Sequence, residues 1–183
     1  MKRLLVVWLL FVCIVLCAPK VKQTISKKKN KTPRNILREK CEKYKLSFDI
    51  MSAVVHAESY WVRTKIEWSR HIDKFSIVSI KAISFGYMQL SIATAKMYCR
   101  HTGAKKPRGI SYKKWLFKKR VNFEIGCWSI ARHKRLLGGN IKKALSAHNL
   151  GYSGFKKWLR RNPRRTYYYF YVRRVEKRLG RKL

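Results

Sequence analysis

Acidic side chains are scarce in this chain: eight Asp and Glu against 45 Lys and Arg, a formal charge of +37. Any reaction that needs a carboxylate must draw on Glu39, Glu42, Asp49, Glu58, Glu67, Asp73, Glu124 or Glu176. Cysteine is limiting too. Beyond the N-terminal apolar run only Cys41, Cys99 and Cys127 remain, an odd number with no metal-ligand spacing. One disulfide is compatible with export, and the spacing does not choose the pair. His56, His71, His101, His133 and His148 form no metal motif, and no glycine-rich loop is built to cradle phosphate. No metal or cofactor is therefore expected. No internal repeat is present.

What the chain has in abundance is positive charge. The commonest use of such charge is to neutralise nucleic-acid phosphates without sequence preference. Anionic cell-wall polymers and membrane surfaces attract the same groups. Yet 46% of the residues are hydrophobic, which a disordered basic tail is not. The composition describes a folded domain with a basic surface.

Residues 1–18 begin with Lys2 and Arg3 and continue as an unbroken apolar run from Leu4 to Ala18. They read as a signal peptide or short membrane anchor, being short for a span of about 20 residues. The cleavage site is poor: Leu16 is bulky and Pro19 follows Ala18. Positive charge is denser after the run than before it, which argues against simple export. Residues 19–34 form a basic linker, and residues 35–183 the folded domain.

From Asn35 onward the apolar periodicity is helical. Ile36, Leu37, Cys41 and Tyr44 make one stripe. Asp49 is placed to cap the next helix, in which Ile50, Val54 and Trp61 share a face with Ala53 and Ala57 beside it. Asn122–Leu137 is another helix, ended by Gly138 and Gly139. Asn140 caps a shorter one to about Ala147, and Tyr168, Val172, Val175 and Leu179 mark a last helix. The segment from Trp61 to Ser84 has no clear period and suits a small hairpin or an irregular lobe.

Glu58 lies four residues after Val54, in "VVHAESYW", and so points to the apolar side of its helix. Burial disfavours the anion there. The nearby helix C-terminus does the same. Both keep a proton on the carboxyl, which a general acid for glycoside cleavage requires. On this stretch alone, a glutamate that turns to solvent or pairs with Arg63 is the simpler reading.

Five segments in order shift that balance: Glu58-Ser59; "SFGYMQLSIATA" from Ser84 to Ala95; "LFKKRVNFEIGCW" with Asn122, Gly126 and Trp128; "AHNLG" from Ala147 to Gly151; and Tyr171-Val172 with Val175. Together they resemble the soluble lytic transglycosylase family of the lysozyme-like superfamily, over about two-thirds of the chain. The resemblance implies a mainly α, lysozyme-like domain with at most a small irregular or β lobe. It also implies cleavage of the MurNAc-β-1,4-GlcNAc bond in peptidoglycan, at the cell wall or in the periplasm, by an exported or membrane-anchored enzyme. A phage-associated origin is compatible with it.

In that scheme Glu58 is acid and then base, with Ser59 beside it. Gly86 lets backbone approach a sugar closely. Ser84 and Gln89 offer hydrogen bonds to hydroxyl and acetamido groups. Tyr87 and Met88 line the cleft, ordinary core being an equal reading for Met88. Asn149 holds an acetamide or fixes its loop, and Tyr171 positions Glu58. His148 stands where the family has Tyr, and a charge varying near pH 6 to 7 is expected of it. "YSG" from Tyr152 replaces a usual Pro-Gly pair. Two rival readings remain. A hydrolase of the same fold needs a second carboxylate, Glu67 or Asp73. A basic wall-binding or nucleic-acid-binding protein has lost catalysis altogether.

Overall fold

Pro33 has no backbone N–H to lose in a first helical turn, and its fixed φ suits that position. Thr32 before it accepts a hydrogen bond from the Asn35 backbone N–H at 3.3 Å. These two residues start helix α1, Pro33–Tyr44, and Lys45 ends it in a left-handed conformation. The computed structural model describes residues 32–58, 78–79 and 82–183, all within the unit Lys31–Leu183. The apolar run and most of the basic linker lie outside these residues, as do Ser59, Trp61, Arg63, Glu67, His71 and Asp73.

The expected stripe of α1 is buried, with Leu37 and Cys41 in the core and Tyr44 packed against it. Helix α2 spans Phe48–Glu58. Its cap is Ser47 rather than Asp49: Ser47 Oγ accepts from the Ile50 N–H at 3.4 Å. The helix starts two residues earlier than a cap at Asp49 implies, so Asp49 falls in the first turn, exposed, where a negative charge still suits the helix dipole. Met51, Val54 and Val55 form the buried face of α2.

A small antiparallel sheet follows, in the order β1 (Val78–Ser79), β2 (Ala82–Phe85), β3 (Leu90–Ser91). Ser84 pairs with Ser91 and Phe85 with Leu90. Ser91 then caps helix α3, Ile92–Thr102, which ends at Gly103, and the short α4, Tyr112–Leu116, is capped by Ser111.

Helix α5, Lys119–Leu136, is the centre of the domain, with Phe123, Ile125, Cys127 and Ile130 wholly buried. Gly138 and Gly139 both adopt positive φ, and the Gly139 N–H bonds the Lys134 carbonyl at 2.8 Å, a glycine-terminated helix end. Asn140 caps α6, Ile141–Leu150, as expected, accepting from the Lys143 N–H at 3.0 Å. A helix not anticipated, α7, spans Tyr152–Arg161 and buries Phe155. The Tyr-Ser-Gly start reads as a loop, but Gly151 makes the turn at φ 72° and the helix follows at once. Helix α8, Tyr169–Leu179, packs its Tyr171, Val172 and Val175 face against α2. Ser146 of α6 fixes its start: Ser146 Oγ accepts from the Tyr168 N–H at 2.8 Å.

The chain is mainly α, with eight helices among the described residues. One polar knot ties α1 to α5. Lys40 Nζ lies 2.8 Å from Glu124 Oε2, and Lys43 and Tyr44 donate to Glu124 Oε1. Burial alone pushes the Glu124 carboxyl up, but these donors outweigh it and hold the pKa at about 2. Cys41 and Cys127 meet on the same two helices, side chain to side chain. Both are free thiols, as is Cys99.

Candidate active site

Glu58 ends α2 with its side chain 11% exposed. It accepts a hydrogen bond from the Tyr171 hydroxyl at 2.5 Å, across 113 residues of sequence. Tyr171 is itself buried against α2, so the phenol is held by its ring and aimed by its oxygen. Burial raises the Glu58 pKa, while the Tyr171 hydrogen bond and the Arg174 charge oppose it. The net shift is upward, which favours a carboxyl that keeps its proton.

Glu58 faces a cavity of about 380 Å³. Ser84 of β2 and Gln89 of the β2–β3 turn form one side, and His148 and Asn149 another, from the last turn of α6. Four residues singled out by sequence thus share the pocket with Glu58. His148 Nε2 lies 4.0 Å from Glu58 Oε1. Its ring is buried, and desolvation lowers its pKa to about 4, against a backbone hydrogen bond with Met88 that pulls the other way. The expected charge change near pH 6 to 7 is therefore corrected: His148 is a neutral hydrogen-bonding group there.

Three other candidates lie away from the cavity wall. Tyr87 and Met88 are in the core, Tyr87 packed on Phe123 with ring centroids 4.9 Å apart and planes tilted by 47°. Gly86, at φ 74°, serves the interior: a Cβ there would meet the Asn122 amide at 2.3 Å and the Leu116 carbonyl at 2.8 Å. Asn122 explains why. Its Nδ2 donates to the Phe85 and Leu116 carbonyls at 2.9 and 3.0 Å, and its Oδ1 accepts from the Met88 N–H at 2.8 Å. This fully buried amide clamps the β2–β3 turn to α5. Gly126, one turn further, leaves room for Met88, whose Sδ would sit 2.2 Å from a Cβ.

The clamp sets the turn that presents Gln89. Gln89 adopts φ 44°, a left-handed conformation that costs a non-glycine residue about 1 kcal/mol or more. Its side chain is held on both ends: Nε2 donates to the Gly86 carbonyl at 2.9 Å and Oε1 accepts from Ser84 Oγ at 2.7 Å. Sequence reading took Asn122 only as part of a resemblance. A polar side chain on the buried face of a helix was the available signal, because such a group needs partners.

Glu58 is the only described carboxylate that lines this cavity. Glu124 is saturated by its donors, Glu39 pairs with Lys40 and Arg120, and Glu176 lies 3.5 Å from Lys142. Among the described residues no group of His, Cys, Asp and Glu is arranged to hold a metal ion.

A mainly helical domain with a small antiparallel sheet and one half-buried acid in a polar cleft is lysozyme-like in architecture. Residues 35–170 match the family model of the transglycosylase SLT domain, and the chain belongs to that family. The family places it among proteins of transglycosylase-type, peptidoglycan-cleaving activity, acting outside the cytoplasm on the wall. Among curated proteins, none matches the sequence.

Proposed function

We propose that this chain is a lytic transglycosylase that cleaves the MurNAc-β-1,4-GlcNAc bond and leaves a 1,6-anhydro-MurNAc end. The reading rests on one observation: a half-buried carboxyl with a raised pKa, held by the Tyr171 hydroxyl at 2.5 Å and facing a polar cavity. Glu58 protonates the glycosidic oxygen as general acid, and the bond to C1 of MurNAc breaks. The resulting carboxylate takes the proton of the C6 hydroxyl of the same sugar, whose oxygen closes on C1. Glu58 ends with its proton restored. One carboxylate suffices, because the nucleophile belongs to the substrate. Tyr171 holds the carboxyl in place between the two transfers. Ser84, Gln89, His148 and Asn149 bind hydroxyl and acetamido groups along the cleft, and Ser59 follows Glu58 in the chain.

In this reading residues 1–18 direct export or anchor the protein, residues 19–34 are a tether, and the basic surface adheres to anionic wall polymer. Zymography on cell walls, with mass spectrometry of the released fragments, tests the chemistry. Wild-type protein should release fragments lighter by one water than hydrolytic ones, and Glu58→Gln should release none. Fragments of hydrolytic mass would instead support a muramidase, with Glu67 or Asp73 activating water.

A further inference from the structure

Helix α8 has two faces of opposite character. Tyr171, Val172 and Val175 are buried against α2. Phe170, Arg173, Arg174 and Lys177 recur at i, i+3, i+4 and i+7, the spacing of one helix face, and all four are exposed. Phe170 is 77% exposed, the most open large hydrophobic side chain among the described residues. The stripe lines a groove of about 590 Å³, which Arg181 and Lys182 extend past the end of the helix. The acid at this groove, Glu176, is already engaged: it lies 3.5 Å from Lys142 and accepts from the Leu183 backbone N–H at 3.0 Å. The face is therefore cationic, with an aromatic ring at its head. That ring ends a row. Phe170 meets Tyr168, and Tyr168 meets Trp158, edge to face at centroid distances of 6.0 and 5.7 Å.

From this geometry we infer that the exposed face of α8 docks on an anionic lipid surface, with Phe170 at the acyl boundary and Arg173, Arg174 and Lys177 among the headgroup phosphates. Phenylalanine has no polar end, so a phosphate polymer alone gives it nothing to bury against. A bilayer supplies both layers, anions at the surface and hydrocarbon beneath. Arg and Lys reach the first with their charged ends while their stems lie along the second. Trp158 and Tyr168, apolar rings with a polar edge, suit the boundary between them. Two copies of so basic a face repel each other, which argues against self-association through it. Nucleic acid offers phosphates and bases that stack on a ring, but the family acts outside the cytoplasm on the wall, which a membrane underlies. The inference goes beyond the glycan chemistry and does not depend on it. It assigns one face to lipid and leaves the rest of the basic surface to wall polymer.

The test uses the full chain with photoreactive benzoylphenylalanine in place of Phe170, and a second chain with it in place of Lys105, exposed in the loop between α3 and α4. Each is irradiated with vesicles of phosphatidylcholine alone and with vesicles that also contain phosphatidylglycerol. Mass spectrometry of the peptides measures the lipid adduct at each position. On anionic vesicles position 170 should carry about five times the adduct of position 105, and about five times its own yield on neutral vesicles. Adding Arg173→Gln and Lys177→Gln should lower the yield at 170 about tenfold, with the thermal midpoint checking that the fold is kept. An N-terminus anchored in the bilayer brings both positions near lipid alike, so the comparison isolates the face. Equal yields at 170 and 105 overturn the inference, as do equal yields on neutral and anionic vesicles or an unchanged yield in the double variant. A single-stranded oligonucleotide that crosslinks at 170 where lipid does not would make the face a nucleic-acid site and overturn it too.

Discussion

At Glu58 function and stability pull in opposite directions. A carboxyl whose pKa rises on folding stabilises the fold fully below its ordinary value of 4.5, and that contribution is lost as pH rises through the folded value. Glu58→Gln removes the penalty. Urea unfolding should find the variant at least as stable as wild type at pH 7 to 8, with the difference closing toward pH 4. Its lytic rate should fall by about 10⁴ or more, since in the proposed mechanism one residue performs both proton transfers. Near wild-type clearing by the variant would end the assignment. Tyr171→Phe tests the positioning of the acid. Its hydrogen bond lowers the Glu58 pKa, so losing it should move the alkaline limb of the rate–pH profile upward, as well as slow the reaction. A profile that keeps its limb would show that the phenol does not set the carboxyl. The position of Glu58 was legible as the fourth residue after Val54; the neutrality of His148 was not, because burial belongs to the packed fold and not to the residue.

The helices were readable where an apolar period coincided with a cap, as at Asn140 and Gly138–Gly139. What holds one element to another was not. Asn122 bonds Phe85 and Met88, 37 and 34 residues earlier, and no local pattern encodes such partners. Asn122→Ala would leave two carbonyls and one N–H unpaired in the interior. A loss of about 3 kcal/mol or more in unfolding free energy is expected, with a larger proportional loss of activity at temperatures where the fold survives, because Gln89 depends on the same turn. A loss under about 0.5 kcal/mol would show that the clamp is dispensable. The α1–α5 knot has its own pH signature. Glu124, depressed to about 2, stabilises the fold above its ordinary pKa of 4.5, and the contribution disappears as pH falls toward 2. Wild type should exceed Glu124→Gln by about 2–3 kcal/mol at pH 7, converging across that acid window. A constant difference from pH 7 to pH 2 would place the effect elsewhere.

At the scale of the molecule, the +37 charge and the buried cleft answer salt differently. Adhesion to anionic polymer releases counterions and should weaken steeply as salt rises. Cleavage of a short soluble glycan should change much less, since the acid assigned to it, Glu58, is buried where screening is poor. Equal salt dependence on walls and on short glycan would remove adhesion as the role of the charge, and sequence-selective DNA binding at physiological salt would replace it. The pairing of Glu58 with Tyr171 also has a consequence in time. During synthesis the acid leaves the ribosome more than a hundred residues before the phenol that positions it, and α2 has no α8 to pack against until α8 has emerged. In the proposed reading, a growing chain therefore lacks the assembled Glu58–Tyr171 pair until α8 has emerged and docked on α2.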